Sequence, residues 1–121
     1  MAARILVVDD DAPIRLLMRT VLREYGFDSI DAAGGEQAIE LARQTTPDLI
    51  LLDRNMPGGM SGDETLRALR AEPALANVPV LILSGEPIEP GELRNLGADG
   101  AVLKPFDVTQ LVATIRKHVS L

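Results

Sequence analysis

Four short stretches of the chain, residues 5–8, 49–52, 80–83 and 101–103, are apolar at nearly every position. A strand with one wet face alternates apolar and polar side chains. Unbroken runs rich in Val, Ile and Leu instead predict strands covered on both faces, as in a parallel sheet. Between the runs the apolar period becomes that of a helix. Ile14, Leu17, Met18, Val21, Leu22 and Tyr25 follow i, i+3, i+4, i+7, i+8, i+11, which predicts one buried helical face ended by Gly26. Val108, Leu111, Val112, Ile115 and Val119 repeat the pattern, with Asp107 placed as N-cap and Gln110 at the reciprocal capping-box position. Weaker helices fit about 36–44 and 63–71. A short one follows Pro90, where Pro87, Pro90 and Gly91 argue against full length.

Asp28–Ala32 is a poor strand by propensity, yet its place between two helices makes it the second strand. The order is then β-α five times over. Right-handed crossovers turn that order into an α/β fold: a doubly wound, five-stranded parallel sheet with helices on both faces. A length of 121 residues fits one domain spanning 1–121. Such a chain buries about two-thirds of its unfolded surface and needs no staple.

Composition narrows the function. Cysteine is absent, which removes disulfides and thiolate metal sites and suits a reducing cytoplasm. The N-terminus runs directly into an apolar run too short for a signal core, and no stretch reaches membrane length. A net charge of −6 and 2% aromatic residues argue against direct nucleic-acid binding by this domain. The expected setting is cytoplasmic, away from the membrane.

In an open α/β sheet the ligand site lies beyond the carboxyl ends of the strands, at the switch point in strand order. The first polar residues after the apolar runs are Asp9, Asp10 and Asp11, then Asp53, Ser84 and Lys104, the last followed by Pro105. Singly each has an ordinary reading. Asp11, before Ala12 and Pro13, is the cap of the next helix, a Ser after a strand forms turns, and a Lys before Pro is solvated. Together they are harder to dismiss. Two carboxylates about 4 Å apart repel by about 4 kcal/mol at an effective dielectric of 20, so clustering them is unfavourable unless a cation is expected. Hard oxygen donors without His or Cys suit Mg²⁺ (or Mn²⁺), bound by carboxylates with phosphate and water. Lys104 then offers a point charge to a phosphate oxygen, and Ser84 a hydrogen-bond donor.

The segments Ile5-Leu6-Val7-Val8-Asp9-Asp10, Leu51-Leu52-Asp53-Arg54-Asn55-Met56-Pro57, Val80-Leu81-Ile82-Leu83-Ser84-Gly85 and Leu103-Lys104-Pro105-Phe106 resemble, in order, those of response-regulator receiver domains. The resemblance covers essentially the whole chain. It implies a flavodoxin-like sheet of order 2-1-3-4-5 and two-component signalling, in which a histidine kinase or phosphotransfer protein delivers a phosphoryl group to Asp53. By the same resemblance Asp10 is the direct metal carboxylate, and Asp9 holds metal-bound water. The main-chain oxygen of Asn55 is the third protein ligand. Ser84 is the hydroxyl that closes on the phosphoryl group, Gly85 its small neighbour and Lys104 the paired lysine, with a cis bond to Pro105. Asn55 and Glu86 match positions that tune hydrolysis, and polar side chains there resemble fast-cycling chemotaxis regulators. The domain catalyses only its own phosphorylation and dephosphorylation and is otherwise no enzyme.

Rival readings are weaker. A phosphatase with an aspartyl nucleophile would carry a second Asp two residues on, where this chain has Asn55. A flavin module would want a Ser/Thr/Gly loop after strand one, where three carboxylates would repel the flavin phosphate. A receiver regulated by binding alone would not need the complete phosphorylation set. The expected form is a stand-alone regulator acting on a downstream effector protein. The alternative is the receiver module of a larger regulator or hybrid kinase, joined to an output domain.

Three features depart from the family pattern: three residues, Gly58-Gly59-Met60, before Ser61-Gly62; a shortened stretch over 86–97; and Ala101 where Tyr or Phe is common. With no ring on Ala101 to swing, the signal is expected to leave through about residues 85–97. His118 is expected to be a solvated residue favouring the last helix's dipole, and Met18, Met56 and Met60 to be packing residues.

Overall fold

In the computed structural model, which describes residues 2–119, each apolar run is a strand and each period-3.6 stretch a helix. The order is β1 (Arg4–Val8), α1 (Ala12–Glu24), β2 (Asp28–Ala32), α2 (Gly35–Thr45), β3 (Leu49–Asp53), α3 (Gly62–Ala71), β4 (Val80–Ser84), α4 (Pro90–Leu96), β5 (Gly100–Leu103) and α5 (Val108–His118). A 3-10 turn over Pro73–Leu75, which the apolar pattern does not predict, precedes β4. All neighbouring strands are parallel, in the order β2-β1-β3-β4-β5.

Successive strand residues point to opposite faces, so the unbroken runs of β1, β3 and β4 each feed two cores. Ile5, Val7, Leu49, Leu51, Leu81 and Leu83 meet Met18 and Leu22 of α1 and Leu111 and Ile115 of α5. Leu6, Val8, Ile50, Leu52, Val80 and Ile82 meet Ala38 and Ala42 of α2 and Leu66 and Leu69 of α3. The two edge strands differ: β2 has only Ala32 fully buried, which is why its sequence looks poor, and β5 only Val102, with Leu103 half exposed although its apolar run predicted cover on both faces.

Local chemistry sets the ends. Asp11 caps α1 by accepting from the Ile14 amide at 3.4 Å. The Ser61 hydroxyl accepts from Glu64 N while the Glu64 carboxylate accepts from Ser61 N, a capping box that starts α3 and holds the Glu64 pKa low. Asp107 caps α5 through Thr109 N and Gln110 N. The reciprocal Gln110 bond expected from sequence is not made, and Gln110 is exposed.

Three residues sit differently from expectation. Leu17 and Tyr25 are exposed, because the buried arc of α1 is the narrower one of Met18, Val21 and Leu22. His118 is half-buried rather than solvated, with Nδ1 2.9 Å from the Thr114 carbonyl. The shortened stretch does end in a short helix, α4, of seven residues, none of them fully buried.

Candidate functional site

β1 pairs with β2 on one side and β3 on the other, so the chain reverses its direction of winding there. Their carboxyl ends, with those of β4 and β5, carry the polar cluster. Asp53 and Ser84 are the last residues of β3 and β4 themselves, and both are buried. Asp9 lies just past β1 at 1% exposure, and Asp10 beside it is open to solvent.

Carboxylate oxygens of Asp9, Asp10 and Asp53 all lie within 4.8 Å of one another. Lys104 Nζ sits 3.1 Å from Asp53 Oδ1 and 3.6 Å from Asp9 Oδ2. Main-chain amides complete the pocket: Asp11 N donates to Asp9 Oδ1 at 2.9 Å and Asn55 N to Asp53 Oδ1 at 3.1 Å. One lysine and two amides leave the cluster short of positive charge. Burial, and then the nearby Asp53 and Asp10 charges, push the Asp9 carboxyl above its ordinary range against the opposing Asp11 amide and Lys104. Asp9 Oδ2 is buried with no hydrogen-bond partner among the described residues. An unsatisfied buried oxygen in an all-carboxylate cluster fits a hard divalent cation such as Mg²⁺.

The other sequence-predicted residues stand around this centre. The Ser84 hydroxyl donates to the Glu86 carbonyl at 2.8 Å and accepts from Glu86 N at 3.1 Å, so it is held by the β4–α4 loop. Gly85 is exposed, and a Cβ there would meet nothing within 4 Å. The Lys104–Pro105 peptide is cis. Asn55, Ser84, Gly85 and Glu86 line a cleft of about 760 Å³ together with Arg54, Pro87 and Glu92.

Sequence reasoning missed three supports. Arg15 Nη1 donates to the Asp9 carbonyl at 2.6 Å while its Nε lies 3.4 Å from Asp31, bracing β1 against β2. Nothing in the spacing marks Arg15 apart from other helical arginines. Arg54 bridges α3 and α4 through Asp63 and Glu92. Gly62 lets α3 start against β3: a Cβ there would lie 2.5 Å from the Asp53 carbonyl oxygen. A Gly directly after a capping Ser was a readable signal of that close approach.

A buried aspartate at the switch point of a 2-1-3-4-5 parallel sheet, paired with a lysine just past β5, defines a signalling receiver fold. The chain belongs to the response regulator receiver domain family, whose pattern it matches over residues 5–116. The phosphate regulon transcriptional regulatory protein PhoB of Escherichia coli is 41% identical over 118 residues, 96% of this chain and 51% of PhoB. The DNA-binding response regulator MtrA of Mycobacterium tuberculosis is 41% identical over 121 residues, 98% of this chain and 51% of MtrA. The chain therefore spans about half the length of these relatives. Among solved structures, the chemotaxis protein CheY4 of Vibrio cholerae superposes with a TM-score of 0.91 at 32% identity, covering 98% of this chain and all of CheY4. Receiver domains are phosphoryl-accepting signalling modules of two-component systems. Among the described residues no helix is long and apolar enough to cross a membrane.

Proposed function

We propose that Asp53 is the phosphoacceptor and that this domain takes its phosphoryl group from the phosphohistidine of a kinase or phosphotransfer protein. The observation that carries the reading is the Lys104–Asp53 contact at 3.1 Å beside a buried Asp9 Oδ2 that accepts no hydrogen bond among the described residues. In the transfer an Asp53 carboxylate oxygen forms the new P–O bond as the P–N bond to the donor imidazole breaks. The leaving imidazole nitrogen keeps the electron pair of the P–N bond and takes a proton from solvent. Lys104 holds the Asp53 carboxylate and offers positive charge to the incoming oxygens, and the Asn55 amide fixes which carboxylate oxygen stays occupied. Asp9, Asp10, Asp53 and the Asn55 main-chain oxygen would hold Mg²⁺ or Mn²⁺, whose chemistry is to neutralise phosphoryl charge.

Ser84 must exchange its Glu86 carbonyl for a phosphoryl oxygen, which moves the β4–α4 loop. Hydrolysis reverses the state: water adds to phosphorus, the P–O bond to Asp53 breaks, and phosphate leaves. The exposed Asn55 and Glu86 leave an open approach for that water, which favours a short-lived phosphoryl group. The output is a downstream effector or a joined output domain, and the DNA-binding relatives of twice this length support the second.

Acetyl phosphate tests the acceptor. Intact-mass analysis should show one phosphoryl group added only when Mg²⁺ or Mn²⁺ is present, and none on Asp53→Ala. Label retained on that variant refutes the assignment.

A further inference from the structure

Arg54 directly follows Asp53, yet its guanidinium serves other groups. Nε lies 3.1 Å from Asp63 Oδ1 and Nη2 3.3 Å from Asp63 Oδ2, a forked pair to the first turn of α3. The same Nη2 lies 3.0 Å from Glu92 Oε2, in the first turn of α4. One side chain therefore ties the loop after the acceptor to both helices that flank it.

The two ends of α4 are held very differently. At the carboxyl end, Arg70 donates from Nε to the Gly97 carbonyl at 2.9 Å and from Nη2 to Asp99 at 2.9 Å. Arg70 is itself fixed by the Leu75, Ala76 and Val78 carbonyls. The amino end has no side-chain cap at Glu89, is preceded by Pro87, which lacks an amide donor, and opens on Pro90. With none of its residues fully buried, α4 has little packing to hold that end, and the Glu92–Arg54 pair is its side-chain tie to another element.

We propose that the Arg54–Glu92 pair is a latch: it holds the amino end of α4 against the acceptor loop and opens when Asp53 gains a phosphoryl group. The inference rests on Asp53 being the acceptor. A phosphoryl group takes the local charge from −1 to about −2. Glu92 and Glu86 line the same cleft as Arg54 and Ser84, so the added charge repels both carboxylates and attracts the guanidinium. Arg54 keeps its forked Asp63 partner when Glu92 leaves, so opening strands no cation. The bonds from Glu92 and then Asp63 also raise the Arg54 pKa, so the guanidinium stays charged. A half-exposed pair is worth a factor of about two to five in an equilibrium. That is small enough for one added charge to reverse, and α4 then swings about its Arg70 anchor.

The test is amide hydrogen exchange on the full chain, with and without Mg²⁺ and beryllofluoride, for the wild type, Glu92→Gln and Arg54→Lys. The Leu93 amide, bonded to the Glu89 carbonyl, reports the latched end, and Gly97, bonded to Leu93, the anchored end. In untreated Glu92→Gln, Leu93 should exchange about two to five times faster than in the wild type, with Gly97 unchanged. Beryllofluoride should produce the same change in the wild type and add little in the variant. Arg54→Lys, which keeps the charge but loses the fork, should fall between. If beryllofluoride stabilises the wild type in an Asp53-dependent way but Leu93 in Glu92→Gln matches the wild type, the latch is wrong while the acceptor stands. If the wild type gives no Asp53-dependent response, the acceptor assignment fails and the latch falls with it.

Discussion

Replacing Asp9 by Asn should make the metal-free protein more stable while weakening its response to Mg²⁺. Asp9 and Asp53 oxygens lie within 4.8 Å, a repulsion of at least about 3.5 kcal/mol at an effective dielectric of 20. Lys104, 3.6 Å from Asp9 Oδ2, returns about 4.6 kcal/mol on the same scale, so these two contributions nearly cancel. Two unfavourable contributions remain: the Asp10 charge and the desolvation of a carboxylate at 1% exposure, the latter several kcal/mol in proteins. The Asp11 amide offsets part of it, and an Asn carbonyl can keep that bond. The net gain should be about 1–2 kcal/mol, or roughly 3–8 °C in melting temperature for a chain of this size. Calorimetry in chelator, then in Mg²⁺ at about 100 times Kd, separates the parts. Bound ion should add about 2.7 kcal/mol to the wild type and clearly less to the variant. An Asp9→Asn protein that melts no higher in chelator, or keeps the full Mg²⁺ shift, refutes the reasoning.

Three further outcomes follow from the same geometry. Because the Asp9 carboxyl is raised, its proton stabilises the metal-free fold below its unfolded value, and that stabilisation is lost as pH rises through its folded value. The melting advantage of Asp9→Asn should therefore widen from acid to neutral pH, and a constant difference would show that Asp9 is not the titrating group. Arg70→Ala should cost about 2–3 kcal/mol in urea unfolding, since it strips bonds from the Leu75, Val78 and Gly97 carbonyls and from Asp99; a loss under 0.5 kcal/mol on this scale would place those carbonyls in water. Gly62→Ala should lower both stability and acetyl-phosphate labelling, because its Cβ would press on the main chain of Asp53 and Arg54 at 2.5–2.6 Å; a variant labelled at the wild-type rate would contradict that.

The sheet was legible because β1, β3 and β4 feed two cores at once and so cannot tolerate a polar residue before their ends. That made Asp9, Asp53 and Ser84 readable as residues at one edge, and the structure places them there. Contacts that depend on side-chain reach were not legible. Arg15, Arg54 and Arg70 each cross between elements far apart in sequence, up to 38 residues for Arg54 to Glu92. Periodicity reads which face a helix buries, not where a flexible guanidinium on its rim will end. The same limit explains Leu17 and Tyr25: spacing assigns them to an apolar stripe, but the neighbours packed on α1 decide how wide an arc is covered.

Sequence and structure converge on the segment from Ser84 to Gly97 for different reasons, and the difference bears on the proposed route from Asp53 to the surface. In sequence the segment is conspicuous for Pro87, Pro90 and Gly91, which weaken helix formation. In the structure it is conspicuous for what holds it: a Ser84–Glu86 turn at one end, Arg70 at the other, and the Glu92–Arg54 pair between. Ala101 leaves a cavity of about 250 Å³ against Ile88 and Leu93, so the packing that a larger residue on β5 would add is missing. With only Ile88 and Leu96 partly packed against the core, such a segment depends heavily on these polar contacts, and two of the three line the cleft at Ser84. Small charge changes there alter a large fraction of its stability, as expected of elements drawn from the low-stability end of a fold. On the proposed reading, the weak helix former and the small side chain of Ala101 serve the same switch as the aspartate.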